Sequence, residues 1–345
     1  MTTPSRKSAG SPPASAPGRS TGRIACVPAQ NAGMSRLRSR LSRFLVAAPA
    51  ALLTAEFAIF DGAFYVGRPF GNDARLYLMA TRAWLAGDDP WIVESAGTTF
   101  AGPPVTLLPF APFAWLDPET MIALITVASV GSAFFIVRHL GLAPWWLLFP
   151  PLIEAVWSGS VTVIVVALAL TRLQWLAVVT KTYAGLPALV LGHTRQLLAA
   201  ALVVVVTLPF LPWQAFFSHD LATTLNEQAW GGRSAWIAPA VLVPIALLAL
   251  TLVGRRRAAW YAVPVLWPAT QLHYSTFAMA ARPSSVAAAI LALPWPGAPV
   301  AAVVADAIVT RAPGWLAARR AAGERAAAGS SAAQEGDSVP AQVVG

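Results

Sequence analysis

From Phe44 to about residue 310 the chain is a succession of apolar runs interrupted by isolated charges. Of its 345 residues 57% are hydrophobic and only 11% charged, and the mean hydropathy is +0.60. That is too little polar surface to coat a soluble globule of this size. The pattern predicts an all-α integral membrane protein. The run Phe44 to Phe64 has about the ~20 residues needed to cross a bilayer. It follows the basic stretch SRLRSRLSR, which orients it from the cytoplasm outward as a signal anchor; a cleavable signal peptide is the alternative. Eight Lys/Arg precede residue 44, so the formal charge of +9 reads as membrane topology, and no nucleic-acid partner is expected.

The organisation follows from the same features. Residues 1–43 lack acidic residues and any apolar period, which predicts a disordered basic cytoplasmic leader. Residues 44–310 form a polytopic membrane domain with a long first external loop over about 65–119. Further apolar runs cover 120–137, 142–157, 160–171, 173–191, 197–217, 235–253, 258–270, 276–293 and 294–310. Several are shorter than ~17 residues, so about eight to ten transmembrane or re-entrant segments are expected. Arg172 and Arg195 both favour the cytoplasmic side, which makes 173–191 a hairpin or a broken helix pair. Arg255, Arg256 and Arg257 place loop 214–234 and the turn 271–275 outside. Residues 311–345 read as a disordered tail, and tryptophans such as Trp145, Trp146, Trp213 and Trp295 as an interfacial belt.

One polar island, GNDARLYLMATRAWLAGDDPW from Gly71 to Trp91, stands inside the first external loop. Leu76, Met79, Ala80, Ala83 and Trp84 share one helical face, and Arg75 and Arg82 another, which predicts a helix lying in the membrane interface. Asn72 or Asp73 suits its N-cap and Gly87 its end. Asp88 and Asp89 before Pro90 carry turn chemistry. Lys181, one of two lysines, interrupts the apolar run 173–191, where an unpaired charge costs about 2.5–3.5 kcal/mol. It either snorkels to a surface or is compensated inside. His273 and Tyr274 at an external turn serve either a ligand or the interface. Glu56, Asp61 and Glu154 read as facing an interior, Asp306 is unassigned, and Arg282 either lines the same interior or pairs with an acid. The single Cys26 excludes a disulfide framework and a thiolate metal cluster. No HExxH, no carboxylate pair with metal spacing and no Gly-rich phosphate loop occurs, so neither a metal nor another cofactor is expected.

The island resembles the first external loop of the membrane glycosyltransferases of family 87, within the GT-C superfamily. The corresponding positions are Asp73, Tyr77, Gly87, Asp89, Pro90 and Trp91. Further along, FAGPPVTLLPFAPFAWL is similar to the family's Tyr-Pro-Pro and apolar helix, and WSGSVTVIVVALAL to its Gly-Gln-x-Asn helix start. LAVVTKTYAGLPALVLGHTRQ resembles its lysine-centred helix break, and WPATQLHYSTFAMAARP its late His-Tyr turn. Trp91 and Gly102 stand where the family usually has tyrosines, and Ser160 where it has a glutamine. The resemblance spans about residues 44–293.

It implies a GT-C-type helical bundle in the plasma membrane, with its active site on the external side. It implies an inverting transferase that moves a sugar, most readily mannose, from a polyprenyl-phosphate carrier to a cell-envelope glycan or glycolipid. Asp73 is then the base for the acceptor hydroxyl, and Tyr77, Asp89, Lys181, His273 and Tyr274 bind substrate, with Lys181 against the carrier phosphate. A transporter or flippase for a lipid-linked sugar, or an inactive relative acting as an assembly partner, fits the same residues.

Overall fold

In the computed structural model, which describes residues 69–219 and 232–311, the apolar runs fold as helices shorter than the runs themselves. The leader, the expected first span with Glu56 and Asp61, and the tail beyond 311 lie outside the described residues. The chain enters through α1 (Asn72–Ala86) and a small hairpin, β1 (Glu94–Ser95) with β2 (Thr98–Thr99). The long α2 (Pro118–His139) follows, then α3 (Pro150–Trp157), α4 (Thr162–Ala169), α5 (Gln174–Thr180) and α6 (Gly185–Leu191). Next come α7 (Thr194–Thr207), α8 (Trp213–Ser218), α9 (Pro239–Val253) and α10 (Arg255–Leu266). A 3-10 segment over Leu272–Ala281, α11 (Ser285–Ala292) and a helical stretch 298–311 complete the described fold. It is mostly helical, as the sequence predicts; the hairpin was not foreseen.

Among the described residues α2 alone is long and apolar enough to cross a bilayer by itself. Its limits are written in the sequence. Asp117 accepts hydrogen bonds from the Thr120 amide at 3.0 Å and hydroxyl at 2.6 Å, Pro118 opens the first turn, and Arg138 and His139 lie at the negative end of the dipole. Helices α3 and α4 pass the same test only together, and they meet at 120°. The run 173–191 is likewise divided, because Lys181 is extended (φ −146°, ψ 111°) between α5 and the turn that starts α6. The expected eight to ten spans therefore do not appear as that many bilayer-length helices among the described residues: Gly, Pro and single charges cut the runs short.

Apolar side chains remain uncovered along whole helix faces. Leu124, Val127, Val130 and Phe134 do so on α2, Leu198, Leu202 and Val205 on α7, and Val241, Ile245 and Leu248 on α9. Contiguous apolar surface of this extent marks contact with a partner or a lipid phase. The tryptophans divide differently from the expected belt. Trp295 is exposed, but Trp146 and Trp213 are buried in packed cores, which composition alone does not distinguish from an interfacial position.

Helix α1 is more deeply set than an interfacial helix. Ala74, Tyr77, Leu78 and Thr81 are buried, whereas Met79, expected on the apolar face, is exposed. Its arginines hold the chain that leads into α2: Arg75 pairs with Glu119 at 2.6 Å, and Arg82 donates to the carbonyls of Ala114 (2.8 Å) and Leu116 (2.6 Å). The N-cap is Gly71, and neither Asn72 nor Asp73 supplies a capping side chain. Instead the first amides of α1 find carbonyls on the α3–α4 elbow, Gly71 N–H donating to Trp157 at 2.9 Å and Asp73 N–H to Ser158 at 2.8 Å. The approach needs Gly159, and the packing of α2 needs Gly71. A methyl at Gly159 (φ +68°) would lie 3.0 Å from Gly71 Cα and 3.0 Å from Ala74 Cβ, and one at Gly71 (φ +74°) would overlap Ile122. Replacing Gly159 by Ala is therefore expected to destabilise the fold by about 2 kcal/mol or more, through left-handed strain plus overpacking. A lower midpoint in detergent thermal unfolding, with Gly131→Ala on open space as control, checks it.

Candidate active site

The elbow aims the first turn of α1 into a partly open cavity of about 130 Å³. Three stretches far apart in sequence line it. Asp73, Leu76 and Tyr77 come from α1, Lys181, Thr182 and Tyr183 from the break after α5, and Trp267, Gln271, His273 and Tyr274 from the chain after α10. The hairpin and the segment after it add Thr98 to Pro103. Five of the six residues singled out in the sequence thus share one chamber.

Lys181 points its ammonium at ring faces, with Nζ 4.9 Å from the centre of Tyr77 and 5.9 Å from that of Tyr183. The negative charge of Asp73 acts on the same cation and on Tyr77, Tyr183 and Tyr274. Lys181 thus meets ring faces inside the protein, in the cavity that Asp73 also lines. The Tyr77 ring is itself fixed, stacked on Phe110 at 4.6 Å and edge-on to Phe100 at 6.0 Å. Burial first, then Asp73 and Tyr274, push the Tyr77 phenol well above its ordinary range, so it remains a neutral hydroxyl.

A chain of hydroxyls backs the cavity. Ser160 Oγ meets Thr162 Oγ1 at 3.0 Å, Thr162 Oγ1 meets the Tyr183 hydroxyl at 3.0 Å, and the Tyr183 ring packs on that of Tyr274 with centres 4.5 Å apart. Ser160 touches the chamber only through this chain. His273 stacks on Tyr274 at 4.7 Å, and its Nδ1 lies 3.1 Å from Glu154 Oε2, both side chains being 5% exposed. That contact fixes the ring and leaves Nε2 as the imidazole nitrogen not engaged by Glu154. Glu154 does face an interior, as the sequence suggests, but as the partner of His273.

Asp89 is the residue that the structure sets apart. It caps the turn Pro90–Ile92, accepting from the Trp91 amide at 2.9 Å, and its other oxygen meets His219 Nε2 at 2.7 Å. The turn reading of Asp89 describes its place, and the cavity lining does not include it. Trp91 and Gly102 touch each other: the indole N–H donates to the Gly102 carbonyl at 2.9 Å. No side chain fits at Gly102, where a methyl would lie 2.9 Å from the Phe100 ring. Arg282 does not line the cavity either; its carbonyl accepts from Arg257. Arg257 in turn pairs at 2.5 Å with the buried Asp306, which also accepts from Tyr261 and the Ser284 amide.

Sequence reasoning did not single out Tyr183, Thr98, Thr99, Trp267 or Gln271. Tyr183, two residues beyond Lys181 in KTY, was open to inspection; the others reach the cavity through long-range packing. Comparison of the chain with protein-family models, with curated proteins and with solved structures returns no match.

Loss of the buried Glu154–His273 contact is expected to cost about 1.5–3 kcal/mol in Glu154→Ala, the range for hydrogen bonds to charged groups. Glu154→Gln, which keeps an acceptor oxygen, recovers part of that loss. Thermal unfolding of the two variants side by side makes the comparison.

Proposed function

We propose that the chain is a membrane glycosyltransferase of the GT-C type, resembling family 87, that transfers a polyprenyl-phosphate-linked sugar to a hydroxyl of a cell-envelope glycan or glycolipid. The observation that carries the reading is the convergence of Asp73 and Lys181 on one cavity from segments more than a hundred residues apart. The uncovered apolar faces of α2, α7 and α9 favour a bilayer setting, from which a lipid carrier reaches the chamber laterally.

In this reading the acceptor hydroxyl gives its proton to the Asp73 carboxylate as its oxygen attacks the anomeric carbon. The bond from that carbon to the phosphate oxygen breaks on the opposite face, its electron pair stays on the carrier phosphate, and the sugar inverts. The leaving phosphate is already stable as an anion, so it needs a cation and donors more than a proton; Lys181 and the hydroxyls of Tyr77 and Tyr274 supply them. Mannose is the sugar the resemblance favours. The active site then faces the external side of a plasma membrane.

Membranes bearing the full chain, incubated with radiolabelled polyprenyl-phosphate mannose and a panel of oligosaccharide acceptors, are expected to form a labelled inverted product. Asp73→Asn should lower its rate by about 10²-fold or more, the scale of a lost general base. No product with any acceptor, or an Asp73→Asn variant as fast as the parent, contradicts the reading. A variant that still moves the intact lipid-linked sugar across the bilayer, with no product from either form, identifies transport instead.

A further inference from the structure

A second cavity lies at the other end of α5. Gln174 opens that helix and lines this cavity, whereas Lys181, just past its end, lines the first; Trp260 and Trp267 stand in the same relation along α10. Seven helical residues rise about 10 Å, so only a thin wall separates the two. The second cavity, of about 670 Å³, is lined by Arg172, Arg195, His193, Gln174 and Trp260 among others.

Its chemistry is one-signed. No acidic side chain lines it, and no acidic residue occurs among the described residues between Glu154 and Asp306. Arg255 reaches its rim, donating to the Val190 carbonyl at 2.6 Å with its guanidinium 2.8 Å from the position of a methyl at Gly192. The start of α7 also belongs to the wall, and its N-cap His193 makes no side-chain capping bond, so the positive end of a 14-residue helix adds to the arginines. Within this wall Gln174 is 2% exposed. Its Oε1 is held 2.7 Å from His193 Nδ1, but its amide nitrogen has no partner among the described residues. That nitrogen has no accessible surface, so the amide packs behind the cavity wall, where its oxygen fixes His193 at the start of α7.

We infer that this cavity is a binding site for a phosphate group, held by Arg172 and Arg195 as charge-assisted donors at the start of α7. The group arrives either as free phosphate or as the head of an anionic phospholipid. The site is distinct from the Asp73 cavity and does not depend on the activity proposed for it.

The test uses the full chain purified in a neutral detergent. One arm titrates inorganic phosphate calorimetrically against chloride at equal ionic strength; the other follows retention of dioleoylphosphatidylglycerol, against uncharged dioleoylglycerol, by native mass spectrometry. Saturable binding in the first arm assigns free phosphate, and binding in the second alone assigns the lipid head. In either case Arg172→Gln/Arg195→Gln should weaken binding at least tenfold. Both arginines are exposed, so the double variant should unfold at the parent's temperature. Absence of binding in both arms, or equal binding by parent and double variant, overturns the inference.

Discussion

The position of Asp73 depends on a pair of backbone hydrogen bonds. The first amides of α1 have no partners within their own helix, and no capping side chain supplies them. They are satisfied by the carbonyls of Trp157 and Ser158, on the elbow where α3 and α4 meet at 120°. Gly159 permits the contact because it carries no side chain where it meets Gly71 and Ala74, and Gly71 leaves room for Ile122 of α2. A helix start anchored at backbone level carries its second residue, Asp73, into a fixed place. The first turn of α1 is thus directed by the core and not by the membrane surface.

The remaining parts of the chamber follow from what a cation needs in apolar surroundings. Lys181 breaks the run 173–191 because its ammonium has better company in the chamber than on a continuous apolar helix. Two ring faces meet it there, in the cavity that Asp73 also lines, and those rings are held in turn by Phe110, Phe100, Trp267 and Phe277. The hydroxyl chain from Ser160 and the Glu154–His273 pair make the rear wall polar and ordered. Such a wall suits a ligand with many oxygens.

How much of this the sequence discloses depends on range. The helix 72–86, its end at Gly87, the cap at Asp117 and the break at Lys181 are local matters of periodicity, capping and charge, and they are legible. So is the likeness in order of the short motifs, which brings Asp73, Tyr77, Lys181, His273 and Tyr274 together as candidates. The Gly71 cap escapes because its hydrogen-bond partners lie beyond α2. That Asp89 lies outside the cavity lining escapes too, because a turn residue and a ligand look alike without the fold. Trp146 and Trp213 are misjudged for a related reason, since core and interface tryptophans differ only in their neighbours.

The central claim is that Asp73 and Lys181 occupy one chamber, and it can be measured without any substrate. With the native Cys26 replaced by Ser, the pair Asp73→Cys/Lys181→Cys is treated with a short bifunctional thiol reagent, and bridged peptides are counted by mass spectrometry. The account predicts efficient bridging within one molecule, far above that of Asp73→Cys/Arg172→Cys, whose second position lies at the other end of α5. Equal bridging of the two pairs, or none for the first with both thiols reactive singly, would contradict it.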